Sequence, residues 1–279
     1  MKSQIALYAN PDPRIKTFYE LIDFALDHGI TCVEGYTHLG LEEPDVEEAR
    51  RIREYADKKG VTFCCFSVGA YVAGPERHQD VERLKKFTDV AHILGSPFIH
   101  HTITPGFEPI KHTQEEIDAT FNEAVESIRE IADYAAALGM RAIYEDQAFL
   151  FNGIKGMERL FEVVDRDIGI VADFGNISQV DEIIPPFIER FHDKIAHVHV
   201  KDIIFTDDTS AIGTHPTQGG TNMCESIEFG TGDAEVEKAI GLLKKYGYSG
   251  KYSMEYWYHV ENDPLVDIHL NRVNAWLDA

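Results

Sequence analysis

Four side chains in the second half of the chain have the types that a single divalent cation would gather. They are Glu145 in "RAIYED", Asp173 in "IVADFGN", His199 in "AHVHVKD" and Glu255 in "YSMEYW". Each closes a short apolar run that reads as a β-strand. A carboxylate at a strand end more often caps the next helix or joins an ion pair, and a lone strand histidine is more often structural. The set carries more weight than its members. Three carboxylates sharing one low-dielectric mouth repel one another unless a cation compensates, and Lys201 is the plainest basic residue near these strand ends. One imidazole with three carboxylates suits Mn2+, Mg2+, Co2+ or Zn2+ and does not choose among them.

Residues so far apart in sequence meet only if the fold brings strand ends together. Strand candidates are Ile5–Tyr8, Cys32–Glu34, Thr62–Ser67, Phe98–Thr102, Ala142–Glu145, Ile170–Asp173, Ala196–Val200 and Tyr252–Glu255. Helical periodicity falls between them, as at Lys16–Asp27, Val46–Lys59, Asp80–Leu94, Thr113–Leu138, Met157–Val164 and Glu235–Lys245. Thr113 and Glu116 spell a capping box, and glycines such as Gly60 and Gly95 fall just past helical runs. Apolar strands alternating with helices imply a parallel sheet covered on both faces. No G-x-G-x-x-G follows the first strand and no phosphate-binding loop is present, so an open nucleotide-binding sheet is disfavoured. The expectation is an α/β fold, a (β/α)8 TIM barrel forming one domain over residues 1–279, with all strand C-termini at one mouth. Strand alternation then points Ile143, Val171 and Ser253 inward with Glu145, Asp173 and Glu255. The Gly- and Thr-rich stretch 203–233 is too long for an ordinary loop; it reads equally as a cover over the mouth or as a disordered insertion, with Ile227 and Phe229 as candidate anchors.

Composition narrows the partners. The 279 residues are 44% hydrophobic and 27% charged, with a formal net charge of −22. That charge argues against a nucleic-acid backbone, which needs clustered Lys and Arg. No stretch is apolar enough to span a membrane, and the N-terminus is too short in apolar residues for a secretory signal. Cys32, Cys64, Cys65 and Cys224 form no C-x-x-C pair, and adjacent Cys64 and Cys65 are expected on opposite faces of their strand. A cytoplasmic protein acting on a small molecule is expected, with homo-oligomerisation left open.

The stretches "IYED", "VADFGN", "HVHVKD" and "FGTGDAEVEKAIGLLKKYGYSGKYSMEYW" resemble the xylose isomerase-like TIM barrel superfamily of sugar and sugar-phosphate isomerases and epimerases. The resemblance covers essentially the whole chain. It implies that Glu145, Asp173, His199 and Glu255 bind one metal, and its H-x-K/N-D pattern selects His199 over His197. It also implies what the chain lacks. Asn176 and Ser67 stand where the three-metal endonucleases of the superfamily carry histidines, and Gln147 replaces the histidine base of the dehydroshikimate dehydratases. Ketohexose 3-epimerases likewise have a histidine at the position of Asn176, which makes Asn176 a substrate-facing candidate.

The activity implied is a metal-dependent isomerase or epimerase of a small sugar or keto-polyol. A proton α to a metal-bound carbonyl would be removed through an enediolate, with Glu145 and Glu255 as the acid–base pair. A lyase or dehydratase of the same fold, acting on a keto-sugar, keto-inositol or keto-glycoside, is the alternative, since it begins with the same proton removal. Lys201 is the candidate for a substrate oxygen, and Asp202 for orienting an imidazole or Lys201 from behind. Glu34 and Trp257 are further substrate-binding candidates. Of His100 and His101, alternation lets one point inward, and His101 is assigned to the substrate.

Overall fold

The computed structural model describes residues 4–9, 12, 14–104, 113–147, 151–207, 215–217, 223–256 and 265–279. Its strands are β1 (Ile5–Leu7), β2 (Cys32–Tyr36), β3 (Thr62–Val68), β4 (Phe98–His101), β5 (Arg141–Glu145), β6 (Gly169–Asp173), β7 (Ile195–Val200) and, after a small sheet, β11 (Tyr252–Met254). These eight close a barrel in the order β1-β11-β7-β6-β5-β4-β3-β2, every pair parallel. All eight coincide with runs expected from the sequence.

Around them lie α1 (Phe18–Asp27), α2 (Val46–Lys59), α3 (Arg77–Leu94), α4 (Gln114–Ala137), α5 (Gly153–Val164), α6 (Ile184–Phe191), α7 (Val236–Lys245) and α8 (Leu265–Asp278). Helix starts follow local chemistry. Thr17 and Thr113 build capping boxes with Glu20 and Glu116, and Asp45 accepts the Glu47 and Glu48 amides. Gly60 and Gly95 end α2 and α3 in the left-handed region that favours glycine. Pro185 and Pro186 fall in the first turn of α6, where an amide hydrogen has no helical acceptor to meet.

The apolar core has two parts. A large one lies between sheet and helices, with Phe18, Phe66, Phe87, Tyr144 and Tyr252 among its buried side chains. A small one fills the barrel itself, with Ala6, Cys32, Cys64, Cys65, Ile143 and Val171. Most of these inward residues sit one pleat below a polar one. Cys32 precedes Glu34, Cys65 precedes Ser67, Ile143 precedes Glu145 and Val171 precedes Asp173, as alternation requires. Two register shifts break the alternation. One leaves Cys64 unpaired against β2, so Cys64 and Cys65 both face the interior, contrary to the sequence expectation. The other skips Ala196 on β7 opposite Ile170 and Val171.

The stretch after β7 contains ordered strands rather than only an insertion. β8 (Asp202–Thr206), β9 (His215–Pro216) and β10 (Met223–Ile227) form an antiparallel sheet in the order β8-β10-β9. Lys201 alone separates β7 from β8. Phe229 anchors the returning chain as expected, buried and stacked on the His269 ring at 3.7 Å. No helix among the described residues is long and apolar enough to cross a membrane.

Candidate active site

At the C-terminal ends of β5, β6, β7 and β11 the four expected side chains converge. Ligand-capable atoms of Glu145, Asp173, His199 and Glu255 all lie within 4.8 Å of one another. His199 Nδ1 sits 2.8 Å from Glu145 Oε1, 2.9 Å from Glu255 Oε2 and 3.7 Å from Asp173 Oδ2. Local sequence holds Asp173 in place. Asp173 Oδ1 accepts the amides of Gly175 at 2.8 Å and Asn176 at 2.9 Å, a side-chain turn written in "DFGN". Gly175 also permits close approach, because a Cβ there would lie 2.7 Å from Lys201 Cγ. Asp146, next to Glu145, accepts the Asp173 amide at 2.8 Å.

Below this cluster lies a second one, Glu34, His197 and His199. Glu34 is fully buried, and its carboxylate faces three partners: His197 Nε2 at 2.7 Å, His199 Nε2 at 3.0 Å and Ser67 Oγ at 2.8 Å. An ionised carboxylate only accepts, so all three must donate. His199 therefore carries a proton on Nε2, and its Nδ1 faces Glu145, Glu255 and Asp173. A ligand imidazole oriented by a carboxylate on its other nitrogen has this geometry. The sequence assigned Glu34 to substrate; the barrel interior instead encloses it and occupies it with His197, His199 and Ser67.

The electrostatics fit a cation. Burial raises the Glu145 carboxyl to about 7, against the pull of His199, with Asp173 and Glu255 adding repulsion. Burial also opposes ionisation of Asp173, yet Lys201 and His199 hold its carboxyl well below the usual range. Burial disfavours the His199 cation, but Glu34, Asp173, Glu145 and Glu255 together hold its imidazole well above the usual value. Three carboxylate oxygens and one imidazole nitrogen within 4.8 Å of one another form a donor set that suits a hard or borderline divalent ion.

Other expected residues are placed differently. Lys201 reaches the cluster, donating to Asp173 Oδ2 at 2.9 Å and Glu255 Oε1 at 2.7 Å, with Asn176 Oδ1 at 3.3 Å. Its ammonium is engaged by these carboxylates. Asn176 is buried behind it, and its Nδ2 has no hydrogen-bond partner. Asp202 points away from His199, since alternation reverses its side chain relative to Lys201. Its carboxylate accepts the amides of Ile203, Gly230, Gly232 and Ala234 at 2.7–3.3 Å, tying β8 to the turn before α7. Gly232 makes that tie feasible, because a Cβ there would fall on the Ile203 carbonyl. His101 turns toward the helical layer, its ring edge-on to Tyr144 at 4.9 Å, and His100 takes the inward position instead. Trp257 lies outside the described residues.

A pocket of about 210 Å³ opens beside the cluster. Glu145, Glu255, His100, Tyr8, Tyr36, Gln147 and Tyr256 are among its lining residues. Tyr8 and Tyr36 were not singled out from sequence, although each lies two residues past an inward side chain, Ala6 and Glu34, and so shares its direction.

A model of the Xylose isomerase-like TIM barrel family matches residues 22–276. A Haemophilus influenzae protein provisionally named L-ribulose-5-phosphate 3-epimerase SgbU is 22% identical over 286 residues, covering 96% of this chain and 93% of its own. L-ribulose-5-phosphate 3-epimerase UlaE of Escherichia coli is 26% identical over 110 residues, which is 39% of this chain and 32% of that one. Among solved structures, a xylose isomerase domain protein of Planctomyces limnophilus superposes with a TM-score of 0.77 at 18% identity, covering 99% of this chain and 98% of that one. A Mycobacterium smegmatis xylose isomerase-like TIM barrel protein in complex with magnesium gives 0.75 at 15%, covering 100% and 99%. The 3-keto-D-glucoside 4-epimerase YcjR of E. coli gives 0.76 at 14%, covering 100% of both chains. The chain belongs to the Xylose isomerase-like TIM barrel family.

Proposed function

We propose that this chain is a divalent-metal-dependent isomerase or epimerase of a small sugar or keto-polyol. The observation that carries the reading is a division of labour within the four-residue cluster. Glu145 and Glu255 also line the pocket, whereas Asp173 and His199 stand behind them. Two carboxylates that face a bound substrate can remove a proton from one carbon and return it to the same or the adjacent one. When bound by Glu145, Asp173, His199 and Glu255, a divalent ion supplies Lewis acidity that eases proton loss beside a carbonyl. Lys201 holds Asp173 and Glu255 in position, and His199 contacts both glutamates. Tyr8, Tyr36 and Tyr256 line the same pocket, where their rings would supply apolar surface to the C–H face of a sugar. A pocket of about 210 Å³ suits a compact ligand rather than a drug-sized one. Relatives named as sugar-phosphate epimerases, and a structural neighbour that holds magnesium, point the same way.

Magnesium-loaded protein incubated in D2O with L-ribulose and a panel of ketohexoses tests the reading by NMR. Exchange of the α-proton and an isomeric product of unchanged mass are expected. Glu145→Gln and Glu255→Gln should each lower the rate at least about 100-fold. Absence of exchange at saturating ketose removes the reading, and a product lacking water assigns the lyase chemistry instead.

A further inference from the structure

His100 is among the pocket residues that have no role in the chemistry above. His100 is buried at the end of β4, lines the pocket, and its Nε2 has no hydrogen-bond partner among the described residues. Glu145 Oε2 is 3.9 Å away, beyond hydrogen-bonding range. The other ring nitrogen is fixed. Ser67 lies directly across the β3–β4 ladder from His100, and its Oγ is 2.9 Å from His100 Nδ1. Ser67 has a single hydroxyl hydrogen, which it gives to Glu34 Oε1 at 2.8 Å, because the carboxylate can only accept. Ser67 must therefore accept from His100, so Nδ1 carries the ring hydrogen. No carboxylate oxygen among the described residues lies within hydrogen-bonding range of Nε2, so nothing there favours a second ring proton. Nε2 is left as a bare, buried lone pair on a ring that lines the pocket.

We propose that His100 is the hydrogen-bond acceptor by which this pocket selects its substrate, Nε2 receiving the hydroxyl of a polyhydroxy carbonyl compound on the side of Glu145. The inference rests on the proposed sugar isomerase or epimerase reading and adds the class of group recognised. A free hydroxyl satisfies the lone pair. A deoxy carbon leaves it buried and unpaired, and a phosphate or carboxylate brings only further acceptors. A phosphorylated substrate would carry its phosphate away from this wall.

Ring tautomers in the magnesium-loaded protein test the first half without any turnover. Long-range 1H–15N correlation at pH 7 should show His100 protonated on Nδ1 and bare on Nε2, the signal being assigned by its loss in His100→Gln. Ser67→Ala should abolish the fixed tautomer. A proton on Nε2, or an imidazolium, overturns the proposal. The second half is read by binding L-ribulose and its monodeoxy analogues. In the wild type, removal of one hydroxyl should weaken binding at least tenfold, and saturation with L-ribulose should move the Nε2 signal upfield. His100→Leu should erase that discrimination. Equal discrimination by both proteins, or an unmoved signal at saturation, overturns it. Failure of α-proton exchange alongside the expected tautomer and binding would remove the isomerase reading and leave the recognition role standing.

Discussion

Three imidazoles take their proton positions from the carboxylate of Glu34. His197 and His199 do so directly and His100 through Ser67. Glu34→Gln puts an amide NH2 where only acceptors are tolerated, so at least one of these donors loses its partner. Its affinity for Mg2+ or Zn2+, measured by calorimetry, should fall about 10- to 100-fold, the range found when the group orienting a ligand histidine is lost. Unchanged affinity would show that His199 is oriented by something else. At this scale the sequence was informative about residue types and strand ends but not about networks. Glu145, Asp173, His199 and Glu255 were legible because each ends an apolar run, and runs in a barrel end at one mouth. Glu34 was also noted as a strand end, yet its burial against two histidines depends on partners 163 and 165 positions away. Alternation could separate His100 from His101 without saying which one faces inward, since that parity is inherited from the whole sheet.

Among the elements, the eight barrel strands and six of the helices between them follow from periodicity, capping boxes and post-helical glycines, all local signals, whereas α6 (Ile184–Phe191) is not among the expected helices. The exceptions arise where register slips. The skipped residues Cys64 and Ala196 change which neighbours face inward, and a bulge has no short sequence signature. The β8-β10-β9 sheet is not legible as strands in the 203–233 stretch, which reads as a cover or an insertion, because its strands are short and separated by polar, Gly- and Thr-rich sequence. Asp202 fastens that sheet to the 230–234 turn through three amide hydrogen bonds, the one from Ala234 buried and those from Gly230 and Gly232 partly so. Asp202→Ala should free those amides, at a cost of about 1–3 kcal/mol for buried donors left without partners. Hydrogen exchange at Gly230, Gly232 and Ala234 should accelerate by one to two orders of magnitude, while exchange in β2–β5 stays as in the wild type. Equal acceleration throughout the barrel would mean that the tie supports the whole fold.

The molecule as a whole couples metal and proton binding to stability. Ligands that bind only the folded state stabilise it by mass action, about 2.7 kcal/mol at 100 times Kd. Adding Mg2+ or Zn2+ at that excess should raise the melting temperature by a few degrees, EDTA should reverse the shift, and Asp173→Ala should show neither response. Buried neutral histidines act in the acid direction. Burial lowers His269 to about 3, helped by Arg272, while an unfolded histidine titrates near 6.5. A lowered folded pKa means that the unfolded state takes up the proton first, so this contribution is intact above about pH 6.5. It falls by up to about 1.4 kcal/mol per pH unit below that. His269→Gln should show a shallower loss of urea stability between pH 6.5 and 4 than the wild type; parallel curves would refute the assignment. Such additive effects stop at the centre of the barrel. Because one carboxylate on β2 sets the proton positions of residues on β4 and β7, these positions cannot be exchanged one at a time without disturbing the others. A graft of this site onto another barrel would have to carry Glu34, Ser67, His100, His197 and His199 together, and lineages that alter one of them should alter its companions in step.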